Sequence, residues 1–183
     1  RQYAVASLRR RLLQAMSQLR CATLPELQHK VVNDVTMFPR LLEYLTVQVS
    51  DLFRDPEFFL AVRQQVIPLL ATYPSIKLWI AGCSTGEEAY SFAILLAEAG
   101  LLERTRIYAT DINEVVLQQA RRGIFPLERM QEYTENYIRA GGARSFSEYY
   151  TAMYDGALFD QRLARNVVFA QHNLVTDRAF ADF

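Results

Sequence analysis

The 183-residue sequence has two cysteines, one tryptophan, two histidines and no excess of either charge. Each scarcity removes a class of protein. Cys21 and Cys83 lie far apart, with neither CxxC nor Cys/His spacing, so no disulfide framework and no metal site is expected, and a reducing compartment fits. The 20 basic and 20 acidic side chains cancel. No global field therefore draws the chain to nucleic acid or to an anionic membrane, and a basic contact surface has to be local. No apolar run approaches the roughly 18 residues of a membrane span. The opening RQYAVASLRRRLL is too basic and too broken in its apolar run for a signal peptide. A cytoplasmic protein with no membrane insertion is expected. The 51% hydrophobic and 22% charged residues are those of an ordinary globular domain. Both ends read as cut. Arg1 enters helical periodicity without a capping residue, and the chain stops at Ala181-Asp182-Phe183 soon after a new segment begins.

Residues 1–20 carry Val5, Leu8, Leu12, Ala15, Met16 and Leu19 at the helical period. Short helical segments follow a break at Thr23-Leu24-Pro25, so residues 1–46 read as a small helical domain. Residues 47–58 read as a linker, extended over 47–55, with Asp55 as N-cap and Pro56 as first residue of a helix. Pro68 and Pro74 are expected to end that helix. The pattern then becomes β–α–β–α. Lys77–Ala81 is a buried-type strand, followed by the loop Gly82-Cys83-Ser84-Thr85-Gly86 and a helix from Glu87 to a cap near Gly100. Arg106–Thr110 is a second strand ending at Asp111, with Asn113 capping the next helix, which stops at Gly123. Residues 124–163 are mixed and aromatic-rich. Asn166–Ala170 is a third strand ending at His172-Asn173-Leu174. Residues 59–183 thus read as a truncated, doubly wound α/β domain of Rossmann-like type.

In such a sheet, ligands sit beyond the carboxyl ends of the strands. The first end is a glycine loop that lets backbone approach a ligand. The second is Asp111, whose carboxylate can accept both hydroxyls of a ribose. The third is Asn173-Leu174, a polar–apolar pair able to read and sandwich a purine. Together they point to an adenosine-containing cofactor. The same loop also fits G-x-S-x-G, which would make Ser84 a hydrolase nucleophile. That alternative needs an upstream glycine-rich oxyanion loop, and residues 47–81 contain no glycine. The only downstream histidine is His172, which reads better as a structural residue at a strand end.

The segments AGCSTGEEAYSFAILL, YATDINEVVLQQARRGIF and VVFAQHNLV, preceded by VQVSDLFRDPEFF, resemble the CheR family of chemotaxis receptor methyltransferases. The resemblance runs over almost the whole chain in the family's order. It implies S-adenosylmethionine as cofactor, S-adenosylhomocysteine as product, no metal, and glutamates on the cytoplasmic domain of a chemoreceptor as methyl acceptors. The family's linker, N-x-T-x-F-F-R-D, contacts the cofactor through an amide, a hydroxyl and an arginine. These fall on Gln48, Ser50 and Arg54, the first two being substitutions. Glu88 matches the family's cofactor-contacting acid, Asp111 its ribose ligand, and Asn173 and Leu174 its adenine contacts.

The resemblance also implies that Arg54 pairs with the methionyl carboxylate and lies near the incoming acceptor. It places Arg10 and Arg11, in the family's R-R-L, against the acidic receptor segment. The family's C-R-N motif has no counterpart before Phe183. The stretch AGGARSFSEYY lacks the G-x-G spacing of members that grip a receptor tether, so a tether-independent monomer is expected. A carboxylate acceptor is already ionised at neutral pH, so no general base is required and in-line positioning carries the catalysis. A module that binds the cofactor without transferring methyl remains the non-enzyme alternative. Activity is expected only of a longer protein.

Overall fold

The computed structural model describes residues 2–45 and 50–177. The chain divides into two compact units, residues 1–49 and 50–183. Gln48 and the rest of the start of the expected linker, residues 47–49, lie outside the described residues.

The first unit holds α1 (Gln2–Gln18), α2 (Leu24–Asn33) and α3 (Met37–Leu45). Thr23 caps α2 by accepting from Glu26 N, and Glu26 reaches back to Ala22 N at 2.8 Å, a reciprocal cap of two otherwise unpaired donors. Ala15, Met16, Leu19, Leu27, Met37 and Leu41 form its core. The apolar face expected along all of α1 is buried only in its second half: Val5 and Leu8 stay exposed. The reason is length. At 1.5 Å per residue, α2 and α3, with 10 and 9 residues, cannot cover the 17-residue α1 from end to end.

The second unit begins with α4 (Pro56–Ala61), a π-helical turn at Val62–Val66 and α5 (Ile67–Leu70). Pro68 does not end this helix. The Ile67 N–H bonds Val62 O, a widened i→i+5 turn that absorbs the donor missing at Pro68. Asp55 is not a capping side chain either: it makes no cap hydrogen bond and sits at φ 56. Next come β1 (Ile76–Ala81), α6 (Glu87–Glu98), β2 (Thr105–Asp111), α7 (Glu114–Arg122), β3 (Ile124–Phe125), α8 (Met130–Arg139), β4 (Tyr150–Met153), β5 (Gly156–Phe159), α9 (Gln161–Ala164) and β6 (Val167–Gln171).

The described strands β1, β2 and β6 form a parallel sheet in the order β1-β2-β6. Ala81 pairs with Thr110 and Asp111 with Gln171, so the carboxyl ends of all three strands finish level. Asn113 caps α7 as expected, accepting from Val115 N at 2.9 Å, and Gly100 closes α6 with Leu101 N bonded to Leu96 O. The mixed region contains an antiparallel sheet, β3-β5-β4, whose strands of two to four residues are too short to show period-2 alternation.

An aromatic cluster of Phe53, Phe59, Phe125, Tyr137, Phe146 and Phe159 fills the interior. Phe53 meets Phe59 and Tyr137 edge-on at 5.2 and 5.3 Å, a favoured aromatic geometry. Glu98, at the end of α6, gathers the periphery. It accepts from Arg63 (2.6 Å), Tyr149 (2.8 Å), Ala143 N (3.2 Å) and the Tyr137 hydroxyl. Burial would push its carboxyl up, but these donors outweigh burial and hold it below the usual range.

Four donors on one carboxylate make Glu98→Ala costly, by about 3 kcal/mol at neutral pH. Because the folded-state value is lowered, this stabilisation is full above the ordinary glutamate pKa of about 4.3. It is lost as pH falls through the lower folded-state value. Denaturant melts of wild type and variant should therefore converge on acidification. A gap that stayed constant would contradict the assignment.

Candidate functional site

Asp111 ends β2 where the expected site begins. Its Oδ2 accepts the Ser84 N–H of the glycine loop at 2.9 Å, and its Oδ1 accepts the Asn113 N–H at 3.0 Å. Its main-chain oxygen accepts His172 N at 2.9 Å. One residue thus ties together the β1 loop, the start of α7 and the end of β6. A carboxylate offers about four acceptor positions, so each oxygen keeps capacity for another donor, such as a ribose hydroxyl.

The loop is shaped by two left-handed glycines. Gly82 has φ +78 and open space where a Cβ would stand, so backbone is bared to a ligand there. Gly86 has φ +97, and a Cβ would come within 2.8 Å of the Ala120 Cβ, so only glycine lets α7 pack this close. Gly82 N and Cys83 N both bond Thr110 O, at 2.7 and 2.9 Å, and Gly86 N bonds Cys83 O. Ser84 sits at φ 49, and its buried Oγ has no hydrogen-bond partner. A hydrolase nucleophile needs a base in reach. His172 instead packs edge-on against Trp79 at 5.7 Å, with Asp177 3.6 Å from its Nδ1. These contacts accompany the burial of His172 just after β6. Burial, reinforced by the charge of Asp111, pushes the Cys83 thiol up to about 12, so it stays protonated and inert.

The two glutamates opening α6 divide their work. Glu88 is exposed. Desolvation raises its carboxyl pKa, while the nearby Arg54 charge lowers it. Glu87 is the buried one. It accepts the Thr85 hydroxyl at 2.8 and 2.7 Å on its two oxygens and a hydrogen bond from Ser50. Burial is the largest influence and pushes its carboxyl up against these donors. A recess of about 320 Å³ is lined by Thr85 and Glu87 together with Arg122 and Asp155. The sequence pattern marked Glu88 and passed over Glu87. Its i, i+2 spacing from Thr85 was the available signal.

The described part of the linker is plugged into the domain. Phe53 is fully buried at φ 51, and its N–H bonds Ser91 Oγ at 2.8 Å, while Ser91 donates to Glu87 O at 2.7 Å. Ser50 and Arg54 are therefore held over the first turn of α6. At the third strand end, Asn173 Oδ1 accepts Val175 N, and Asn173 N bonds Asp177. Leu174 is 61% exposed, an apolar side chain presented beside a polar turn. Arg10 is exposed on α1, and Arg11 reaches Leu45 O at 3.1 Å. The structure thus brings Ser50 and Arg54 to Glu87 and Glu88, and Asp111 to the loop and to the β6 end.

These residues suit an adenosine cofactor on their own terms: bared backbone at Gly82, an unpaired buried hydroxyl on Ser84, and spare acceptor positions on Asp111. Among the described residues, no group of three or more His, Cys, Asp or Glu is placed to hold a metal. None of the described helices is long and apolar enough to cross a membrane.

A parallel sheet with this loop and acid is the fold of an α/β methyltransferase domain. The family profile described as "CheR methyltransferase, SAM binding domain" matches residues 48–183, and the chain belongs to the CheR methyltransferase family. The chain is 58% identical over 182 residues to "Putative methyltransferase Cher3" of Pseudomonas putida, covering all of this chain and 67% of that one. It is 26% identical over 180 residues to a "Chemotaxis protein methyltransferase" of Listeria monocytogenes, covering 96% of this chain and 64% of the relative. A protein of the same description from Salmonella typhimurium is 32% identical over 139 residues, 72% of this chain and 44% of the relative. The chain thus spans about two thirds or less of the length of these relatives.

Because burial raises the Glu87 pKa in the folded state, folding favours its protonated form. The stability this form lends is present below the ordinary glutamate value and lost as pH rises through the folded-state value. Glu87→Gln should therefore gain stability relative to wild type as pH rises above the ordinary glutamate value of about 4.3, read by denaturant melts. A gain that shrank with rising pH would refute the buried, desolvated placement.

Proposed function

We propose that this chain carries the cofactor-binding part of an enzyme that transfers methyl from S-adenosylmethionine to glutamate side chains on the cytoplasmic domain of a chemoreceptor. The observation that carries the reading is the Asp111 carboxylate, bonded to the loop at Ser84 N and to Asn113 N, with its main chain fixing the β6 end. In this reading Asp111 takes the ribose hydroxyls. Asn173 spends its side-chain oxygen on Val175 N, which leaves its amide nitrogen to read the purine, with Leu174 lying against the ring. Ser50 and Arg54 hold the methionyl end, and Gln48 joins them as the family's amide.

When bound, S-adenosylmethionine supplies a methyl group already activated by its sulfonium. The chain's own residues then have only to position and desolvate. Arg54 pairs with the methionyl carboxylate by bidentate hydrogen bonds and stands close to the arriving carboxylate. Glu88 serves the ammonium end, as the family pattern has it. The buried Glu87, tied to Ser50 and Thr85, lies beneath that end of the site. Arg10 and Arg11 offer the local basic surface for an acidic receptor segment. The names of the Listeria and Salmonella relatives support a chemotaxis role, and the balanced charge of the whole chain supports a protein partner over nucleic acid. No membrane insertion is part of this reading. A cytoplasmic monomer acting on the receptor's inner face is the arrangement it favours.

Two measurements test this. Calorimetry with S-adenosylhomocysteine should give saturable binding that falls by more than about tenfold in Asp111→Ala, which removes two charge-assisted hydrogen bonds. Labelled methyl should pass from the cofactor to receptor membranes in base-labile form. Undiminished affinity in Asp111→Ala contradicts the ribose assignment. Cofactor binding by the full-length protein without any transfer makes it a sensing module instead.

A further inference from the structure

The linker that carries Ser50 and Arg54 is gripped from a second side, by residues of the insertion between β2 and β6. The Arg129 guanidinium lies 2.6 Å from Asp51 Oδ1 and 3.0 Å from Glu132 Oε2. It also sits 5.4 Å from the centre of the Tyr133 ring. Burial, with the charges of Glu87 and Asp51 nearby, raises the phenol pKa of Tyr133, a nearly fully buried side chain. One turn further along α8, Asn136 Nδ2 donates to Leu52 O at 3.3 Å. Asp51 thus accepts from Arg129 through its side chain, and its main-chain oxygen accepts Arg54 N at 3.3 Å. Ser50 and Arg54, which flank the stretch from Asp51 to Phe53, are the two that face α6.

Neither end of this contact is explained by packing alone. Leu52 and Phe53 are already fully buried, so the segment needs no ion pair to stay attached to the core. What Phe53 does not fix is rotation of the short Ser50–Asp51 segment, where one residue faces Glu87 and the next faces α8. A charged pair whose guanidinium also lies beside a buried aromatic ring fixes that direction. The planar guanidinium, attracted to the face of the Tyr133 ring, limits where Asp51 can stand.

We propose that Asp51, Arg129 and Tyr133 form a latch that positions Ser50 and Arg54 for the methionyl end of the cofactor. Arg129 and Tyr133 are positioning residues, acting through Asp51. The inference rests on the cofactor reading above and adds a division of labour: the nucleoside end is held by the parallel strand ends, and the amino-acid end by a linker whose aim is set by α8.

That division supplies the test. S-adenosylhomocysteine has both ends, whereas methylthioadenosine has the nucleoside end alone. Calorimetry with both ligands on full-length wild type, Arg129→Gln and Asp51→Asn should show S-adenosylhomocysteine binding weakened about tenfold in each variant. Methylthioadenosine binding should stay within about twofold of wild type. The charge-swapped pair Asp51→Arg with Arg129→Asp should recover part of the lost affinity. If both ligands weaken together, the contact only supports the fold and the latch is wrong. If S-adenosylhomocysteine binding is unchanged in Arg129→Gln, it is also wrong. A wild type that binds neither ligand sinks the cofactor reading and the latch with it.

Discussion

The second unit is organised around where the Asp111 carboxylate finds its hydrogen bonds. Parallel strands finish level only if something fixes their loops relative to each other, since the ladder ends where the loops begin. Here the fixing group is a side chain at the end of the middle strand, bonded to backbone N–H groups of the loop before it and the helix after it. Its main chain holds the third strand end. A carboxylate bonded to backbone amides is a strong, charge-assisted contact, and each oxygen keeps capacity for a further donor. The fold and the ligand therefore use the same residue, so the site needs no separate scaffold.

The linker shows the complementary constraint. A non-glycine residue at positive φ costs on the order of 1 kcal/mol, and Phe53, Asp55 and Ser84 all sit there. At Phe53 the cost is offset by complete burial among aromatic rings. At Ser84 nothing apolar compensates. The loop holds its shape through the Asp111 bond and the turn back to Thr110, which leaves Gly82 bare and the Ser84 hydroxyl unpaired. Strain, bared backbone and unpaired polar atoms thus gather at the strand ends.

Much of the α/β core was legible in the sequence. The three parallel strands, the loop and Asp111 all declared themselves by local chemistry: buried-type runs, glycines, and a carboxylate at a strand end. Asn113 and Gly100 read correctly because helix caps depend on nearest neighbours. What could not be read depended on distant contacts. Strands of two to four residues carry no period, so the antiparallel sheet stayed hidden. Pro68 looked like a helix terminator because a π turn is invisible to a 3.6-residue pattern. Glu87 and Glu88 are indistinguishable as letters, and only the depth of the first turn of α6 makes one of them a buried acid. Arg129 drew no attention because its partner, Asp51, lies 78 positions earlier. The glutamate acceptor and the roles of Arg10 and Arg11 still stand on family resemblance.

The central claim is that the strand ends around Asp111 hold the nucleoside of S-adenosylmethionine. It is tested most directly by a crystal structure of the full-length protein with S-adenosylhomocysteine. The account predicts both ribose hydroxyls within hydrogen-bond distance of the Asp111 carboxylate, the purine beside Asn173 and Leu174, and the amino-acid end turned towards Arg54. A nucleoside bound elsewhere, or a ribose whose hydroxyls ignore Asp111, would contradict it.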